Sequence, residues 1–389
     1  MNKKIWITLA LSSALLLPIS PASVQAASSP QLILHYAGGG YTSEISETLL
    51  VRNGVNYVNI GYYPSSLGLE LKIDASGKRA SYNGWNKKFA VRDGSKAAML
   101  DGKIVTMQAP ALIRKDKKTD TSSIYVPLRF AAQALDGKLV SPNAQHNTYQ
   151  INDMHTYEVI TDVYKGTTYT LTKLNGDLYA SRGKQDPVKL ASIQTGLDST
   201  GMEFRSTPGG LLLITVNDSY GEPHINSQQF QLLFRDGKLV RQTSVDYGWG
   251  RSNTVNSYDN KLVMNDGTNL RIIEDGTGKV LQTLNLVELA GKGKDQKYSV
   301  EAIDQDMLLI RNARDHQLQL INRKNGNSVL LYQQFLTHEQ QQSVEEDIGP
   351  MSGGDRIDFT KRVGSTLYFT YADFDKGTVN ATYNLDNLD

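Results

Sequence analysis

Apolar residues in this chain cluster in short runs of six to eight, each too short for a free-standing helix. TYEVIT (156–161), TTYTLTKL (167–174), LLLITV (211–216), FQLLFR (230–235), NLRIIE (269–274), DMLLIRN (306–312), QLQLINR (317–323) and TLYFTYA (366–372) all read as strands. Tight turns separate them: Asn175-Gly176, Asp236-Gly237, Asp275-Gly276, Asn325-Gly326 and Lys376-Gly377. Such dipeptides favour hairpin turns whose twist matches that of the flanking strands.

The strands recur in a larger unit. KLVMNDGTNLRIIEDGTGKVLQTL (261–284) resembles DMLLIRNARDHQLQLINRKNGNSVLLY (306–332), and 210–243 and 366–383 follow more loosely. Leu212, Leu262, Leu308 and Leu367 mark the first strand of each unit, at intervals of 50, 46 and 59 residues. A repeat of this size with three or four strands predicts a β-propeller-like domain of about five blades, with stacked β-sandwiches as the alternative. The long last interval is explained by a helix. Thr337-His338-Glu339-Gln340 is a capping-box pattern, and Gly349-Pro350 stops the helix.

Residues before 154 follow a different pattern. YVNIGYYPSSLGLELKIDASGK (57–78) aligns without gaps on YVPLRFAAQALDGKLVSPNAQH (125–146), an offset of 68. Tyr57, Val58, Leu67 and Leu71 fall on Tyr125, Val126, Leu135 and Leu139. Each copy predicts a strand, a short helix and a second strand, so this region is a small α+β module. Pro127 pre-sets φ where strand gives way to helix. Between the copies, Asp101-Gly102 joins two strands as a two-residue hairpin. The order of an Asp-Gly-Lys hairpin, Ala-Pro-Ala-Leu-Ile, a loop and Tyr-Val-Pro-Leu-Arg-Phe resembles the copper amine oxidase N-terminal-like (stalk) domain, over roughly residues 50–152. The resemblance implies a secreted Gram-positive envelope protein with a binding or spacer module.

The first 27 residues read as a secretory signal: Lys3 and Lys4, an apolar run from Ile5 to Leu17, then Val24 and Ala26 at the −3 and −1 positions. The expected division is signal 1–27, module 28–153 and β-rich domain 154–389. The apolar run is shorter than a bilayer span, and no later segment is apolar enough to cross one. A secreted or cell-wall-associated protein follows. There is no cysteine, so disulfides and a lipid-bearing cysteine are both ruled out. Lys and Arg number 41 against 40 Asp and Glu, a balance that gives no field to attract nucleic acid.

Candidate chemistry is sparse. A copper amine oxidase catalytic domain, by resemblance, needs a His-x-His pair with a third His, and a Tyr in an Asn-Tyr-Asp/Glu setting. The six His here lie at least nine residues apart, and Asn56-Tyr57-Val58 lacks the acid. Oxidase activity, copper and other cofactors are therefore not expected. Two aromatic loops, Tyr82-Asn83-Gly84-Trp85 and Tyr247-Gly248-Trp249-Gly250-Arg251, could stack on sugar rings. Tyr82, Trp85, Tyr247, Trp249 and Arg251 are the candidate ligand contacts. The expectation is a non-catalytic envelope-associated binding or spacer protein whose partner is cell-wall glycan or an envelope protein. The alternatives are an extracellular hydrolase acting on polysaccharide or peptide, and a purely structural spacer.

Overall fold

The computed structural model describes residues 31–37, 42–45, 49–61, 65–115, 121–143, 148–194, 196–249, 254–291, 296–347, 349, 352–373 and 377–389. The expected signal segment and Arg251 lie outside the described residues. The protein is mainly β, built from several separate sheets.

In the N-terminal region the sequence repeat becomes a symmetric sheet. Hairpin Leu49–Arg52/Val55–Asn59 and hairpin Leu112–Lys115/Ser122–Pro127 meet through their second strands, antiparallel, with Val58 opposite Val126. These two valines are equivalent positions of the repeat. Antiparallel pairing of equivalent residues places a local two-fold axis between them. The second copy continues into helix Leu128–Ala134, with Pro127 as its cap; the first makes only the 3₁₀ turn Ser65–Leu67. Each copy then leaves into its own sheet. Glu70–Ile73 begins the five-stranded meander of residues 70–106, while Lys138–Asn143 pairs with Thr148–Met154 beside Gln31–Tyr36. One apolar core, with Leu32, Val58, Tyr82, Phe89, Val126 and Phe130, joins all three sheets. Asp101 and Gly102 both adopt positive φ (48° and 79°), as the hairpin requires.

Among the described residues, the rest of the chain forms five consecutive antiparallel meanders, four of four strands and a last of three. Meander one spans residues 159–192, two 199–248, three 257–285, four 298–330 and five 357–384. The predicted helix is His338–Glu346, between meanders four and five; Thr337 and Gln340 exchange the two capping-box hydrogen bonds. Leu212, Leu262, Leu308 and Leu367 occupy equivalent positions, but on the second strand of their meanders. The expected first strands were one strand late. The true first strands, such as Ser199–Ser206 and Ile357–Val363, carry polar residues on one face and lack a strong apolar run.

Consecutive meanders pack face to face. In Leu211–Tyr220, Ile214 and Val216 join meander one's Leu171 and Leu178. Leu211 and Leu213, on the opposite face, join meander three's Leu262 and Met264. Val263 turns the other way, toward Leu308 and Ile310 of meander four, whose Met307 and Leu309 meet Leu367 and Phe369 of meander five. A strand covered on both faces needs apolar residues at successive positions, which is why these strands read as continuous runs. Five meanders agree in number with the expected blades. Among the described residues no core cluster joins meander five to meander one, so closure into a propeller is not seen. The free face of meander one carries Tyr179, whose ring lies 5.4 Å from Trp85 of the N-terminal module.

Among the described residues no sheet mixes strands from the two regions. Their junction is closely packed. The Tyr157 N–H donates to Leu67 O at 2.7 Å, and its hydroxyl donates to Asp136 Oδ2 at 2.8 Å. Lys87, almost fully buried, donates to Asp136 and Asp101 at 2.8 and 3.0 Å and sits 5.8 Å above the Tyr157 ring. A buried ammonium requires such pairing. Burial and then the Asp136 contact push the Tyr157 hydroxyl pKa well above its ordinary value. Gly68 makes room for the passing chain: a Cβ there would lie 2.3 Å from the Glu158 nitrogen, and its φ is +68°. Gly68→Ala is expected to cost about 1–3 kcal/mol, read as a lowered urea midpoint; an unchanged midpoint would show that the junction is looser than its geometry.

Meanders four and five are tied by Arg362, whose guanidinium grips both oxygens of Asp306. That hydrogen bonding, against some opposition from burial, holds the Asp306 carboxyl below the usual value of 3.8. A depressed folded-state pKa adds stability above the ordinary value that is lost as pH falls through the folded one. Asp306→Asn should therefore lower stability at neutral pH and flatten its decline between about pH 5 and about pH 3; parallel pH–stability curves for the two proteins would refute this.

Candidate functional site

The face of meander two that looks toward meander three changes character along its length. Leu211, Leu213 and Leu233 close one end. In the same alternation follow Thr215 and Asn217, paired with Gln231 and Gln229, and beside them Glu203, opposite Thr215. Polar side chains do not seal against a neighbouring sheet as leucines do, and here a cavity of about 630 Å³ opens. Glu203, Thr215, Asn217 and Gln229 form one wall. Thr254, Val255 and Asn256, leading into meander three, Glu301 from the first strand of meander four, and Asp358 and Phe359 from the first strand of meander five complete it.

Hydrogen bonds orient the wall. A carboxylate only accepts, so Asn217 presents its Nδ2 to Glu203, at 3.3 Å. Asn217 Oδ1 must then accept from Gln229 Nε2, at 2.9 Å. This leaves Gln229 Oε1 as an acceptor with no donor, on a side chain only 6% exposed. On the other side, Gln231 Nε2 donates to Asn256 Oδ1 at 3.0 Å. Gln229 Oε1 is closed off from solvent, so it is an unmet acceptor inside the wall and not a contact offered to a ligand.

Glu301 is fixed from behind by Arg311, which is 2% exposed. The guanidinium donates to both Glu301 oxygens, to Asp355 Oδ1 at 2.7 Å, and to the carbonyls of His316 and Ile357. Burial by itself would lower the Arg311 pKa, but Asp355 and Glu301 more than offset this and hold it above its ordinary value. Asp355 also accepts from Leu318 N at 2.6 Å. One buried cation thus positions a cavity carboxylate and links meanders four and five.

The candidates picked from sequence are scattered. Tyr82 is 1% exposed, stacked on Phe89 with centroids 4.4 Å apart, and its hydroxyl pKa is pushed up by burial. Tyr247 is 3% exposed, with its pKa pushed up to about 12 by burial. These two are core residues and cannot present a ring to a ligand, a correction to the sequence reading. Both alternate in phase with buried neighbours in their strands, Tyr82 with Ala80 and Tyr247 with Val245. Tyr247 does reach the cavity indirectly: its hydroxyl lies 3.1 Å from Thr254 Oγ1 and accepts from Asn265 Nδ2 at 3.2 Å. Trp85 packs on Tyr179 in the junction. Trp249 is 37% exposed, and its Nε1 donates to Arg314 O at 3.4 Å. At the end of helix His338–Glu346, Glu345 accepts from the Tyr332 hydroxyl at 2.9 Å and Asp347 is the C-cap.

The sequence reading missed Glu203, Asn217, Gln229, Asn256, Glu301 and Asp358. The available signal was the polar set Thr215, Asn217, Gln229 and Gln231, alternating inside otherwise apolar strands. Among the described residues no group of three His, Cys, Asp or Glu side chains is arranged to hold a metal ion, and no helix is long and apolar enough to cross a membrane.

Comparison with known proteins bears on the N-terminal region. Residues 39–151 match the copper amine oxidase N-terminal domain. The match confirms the sequence resemblance and covers the N-terminal domain of those enzymes, not their catalytic domain. No curated protein matches the chain. Similar solved structures include a protein of unknown function from Bacteroides caccae, at 13% identity over 79% of this chain and 90% of that one, TM-score 0.25. A puromycin-hydrolyzing peptidase from Mycobacterium tuberculosis is 13% identical over 83% of this chain and 46% of that one, TM-score 0.27. Apo AztD from Citrobacter koseri is 10% identical over 67% and 84%, TM-score 0.20. At these scores the likenesses carry no argument about fold or function.

Arg311→Met would leave Glu301 and Asp355 facing each other without their cation. The expected cost is about 3–5 kcal/mol, measured by chemical denaturation, with partial recovery when Glu301→Gln and Asp355→Asn are added. A loss below about 1 kcal/mol would mean that the cluster is solvated.

Proposed function

We propose that this is a non-catalytic, exported binding protein of the cell envelope, in which the copper amine oxidase-type N-terminal domain supports a β-rich ligand-recognition region. The ligand site is the cavity between meanders two to five. The five meanders act as a propeller-like fan: each sheet follows the last in chain order and packs on it, and the first strands of meanders two, four and five contribute cavity residues. The observation that carries the reading is the convergence of polar side chains from meanders two, four and five and from the segment leading into meander three on one space of about 630 Å³, within the usual size of a small-ligand site. Export rests on the character of residues 1–27. The envelope setting rests on the resemblance of the N-terminal domain.

The convergence of Glu203, Glu301 and Asp358 also supports a second reading, hydrolysis of a glycan by paired acids. Against it, Glu301 is locked into the Arg311 cluster, which suits positioning better than proton transfer.

Residues 28–389, incubated with purified cell-wall sacculi, should be retained saturably. Asn256→Trp, which fills the cavity from its wall, should abolish retention; it also takes the acceptor from buried Gln231 Nε2, so a small drop in thermal midpoint is expected while the protein stays folded. Equal retention of both proteins would move the site elsewhere, and no retention of either would remove the envelope-glycan reading. Turnover of a chromogenic glycoside that disappears in Glu203→Gln would establish the hydrolase instead.

A further inference from the structure

Meander five is one strand short. Among the described residues the first four meanders each end in a fourth, outer strand, whereas meander five ends with its third, Gly377–Asn384. That strand pairs with Thr366–Asp373 on one side, and among the described residues no strand pairs with its other side. One row of its backbone N–H and C=O groups therefore forms a template for a further strand.

Edge strands are normally blunted against such pairing by shortness, charge, proline or a bulge. The outer strands of the other meanders carry these devices. Val188–Ser192 holds Lys189, and its pairing shifts register between Leu178 and Tyr179. Lys238–Gly248 carries Lys238, Arg241 and Asp246, and its pairing shifts at two places. The pairing of Val280–Asn285 shifts at one, and Ser328–Leu330 has only three residues. Gly377–Asn384 has none of these devices. Its sequence, GTVNATYN, contains no charge and no proline, and it stays in register with its neighbour over eight consecutive pairs, from Thr366 opposite Asn384 to Asp373 opposite Gly377. The residues that follow are held by meander four: the Leu388 carbonyl accepts from Asn325 and Asn327 at 2.8 and 2.9 Å.

We propose that the fourth strand of meander five is supplied by a second copy of this chain, the two Gly377–Asn384 strands pairing antiparallel about Ala381. The occupant follows from the strand's own pattern. Pairing about Ala381 sets Ala381 opposite Ala381 and Val379 opposite Tyr383, apolar against apolar on the half-buried face. On the exposed face Thr378 lies opposite Asn384 and Asn380 opposite Thr382, polar against polar. Because the strand is uncharged, two copies meet without like-charge repulsion. The contact is isologous and closes on a two-fold axis, joining two three-stranded sheets into one. It is also small, so the dimer is weak and concentration-dependent.

The test is sedimentation velocity of residues 28–389 over a concentration series, with hydrogen exchange of the amides from Val379 to Tyr383. Monomer should give way to dimer as concentration rises, and exchange of these amides should slow in step. Asn380→Lys with Thr382→Lys sets lysine against lysine at the two exposed pairs beside the axis and should abolish the dimer. Asn380→Glu with Thr382→Lys changes the same exposed positions but sets glutamate against lysine, and should keep it. Both variants should unfold at the wild-type thermal midpoint at low concentration, where the chain is monomeric. If the lysine variant does not fold, the wild-type exchange data decide alone. A chain that is monomeric at every concentration, as when the missing strand comes from another protein, overturns the proposal. So does a dimer that the two lysines leave intact, loss of the dimer in both variants, or protection of these amides that does not change with concentration.

Discussion

The central strands of meanders two, three and four are apolar on both faces, and the β-rich region depends on that property. Each such strand serves as the wall between two cores, so no meander is independent of its neighbours. Burial of one leucine contributes roughly 1.5–3 kcal/mol, and each interface between meanders collects several. That surplus lets the region tolerate an unsatisfied acceptor at Gln229, which costs about 1–3 kcal/mol. The cavity exists because the two-faced pattern is interrupted. Where leucine gives way to threonine, asparagine and glutamine in meander two, the neighbouring sheet is no longer sealed against it.

The same logic places the charged clusters. Arg311 and Lys87 are almost fully buried, and each is surrounded by carboxylates from sequence-distant segments. Removing two ions from water costs more than a single contact returns, so such residues persist where several partners and carbonyls meet. Lys87 with Asp136, Asp101 and Tyr157 fixes the N-terminal module to the meanders. Arg311 with Glu301 and Asp355 joins the last two meanders and holds a cavity carboxylate in place. Junction and cavity wall are thus set by one kind of interaction, charge buried with complete pairing.

The aromatic loops illustrate how composition misleads when phase is ignored. Tyr82 and Tyr247 looked like surface rings beside glycines. In the strand alternation they fall on the buried side, with Ala80 and Val245, and their rings fill cores. Trp85, at the end of its hairpin, is held by the first meander instead of by a ligand. Residues with ordinary polar side chains, Asn217 and Gln229 among them, turned out to form the shaped surface.

Local chemistry made much of the architecture legible from the chain. Asp-Gly turns demand positive φ, apolar runs demand burial, and Thr337 with Gln340 announces a helix start, each through contacts within a few residues. The repeat of 68 residues foretold two copies of one motif. It could not foretell that Val58 would pair with Val126, because pairing depends on how the copies meet. The first strands of meanders two, four and five escaped notice because they place polar side chains, Glu203, Glu301 and Asp358, toward a cavity, which no local pattern distinguishes from solvent. Tertiary packing alone decided that Glu203, Glu301 and Asp358 share one space, that no core cluster joins the first and last meanders among the described residues, and that Tyr179 faces the N-terminal module. Sequence specifies which residues must be buried; only the assembled sheets determine what they are buried against.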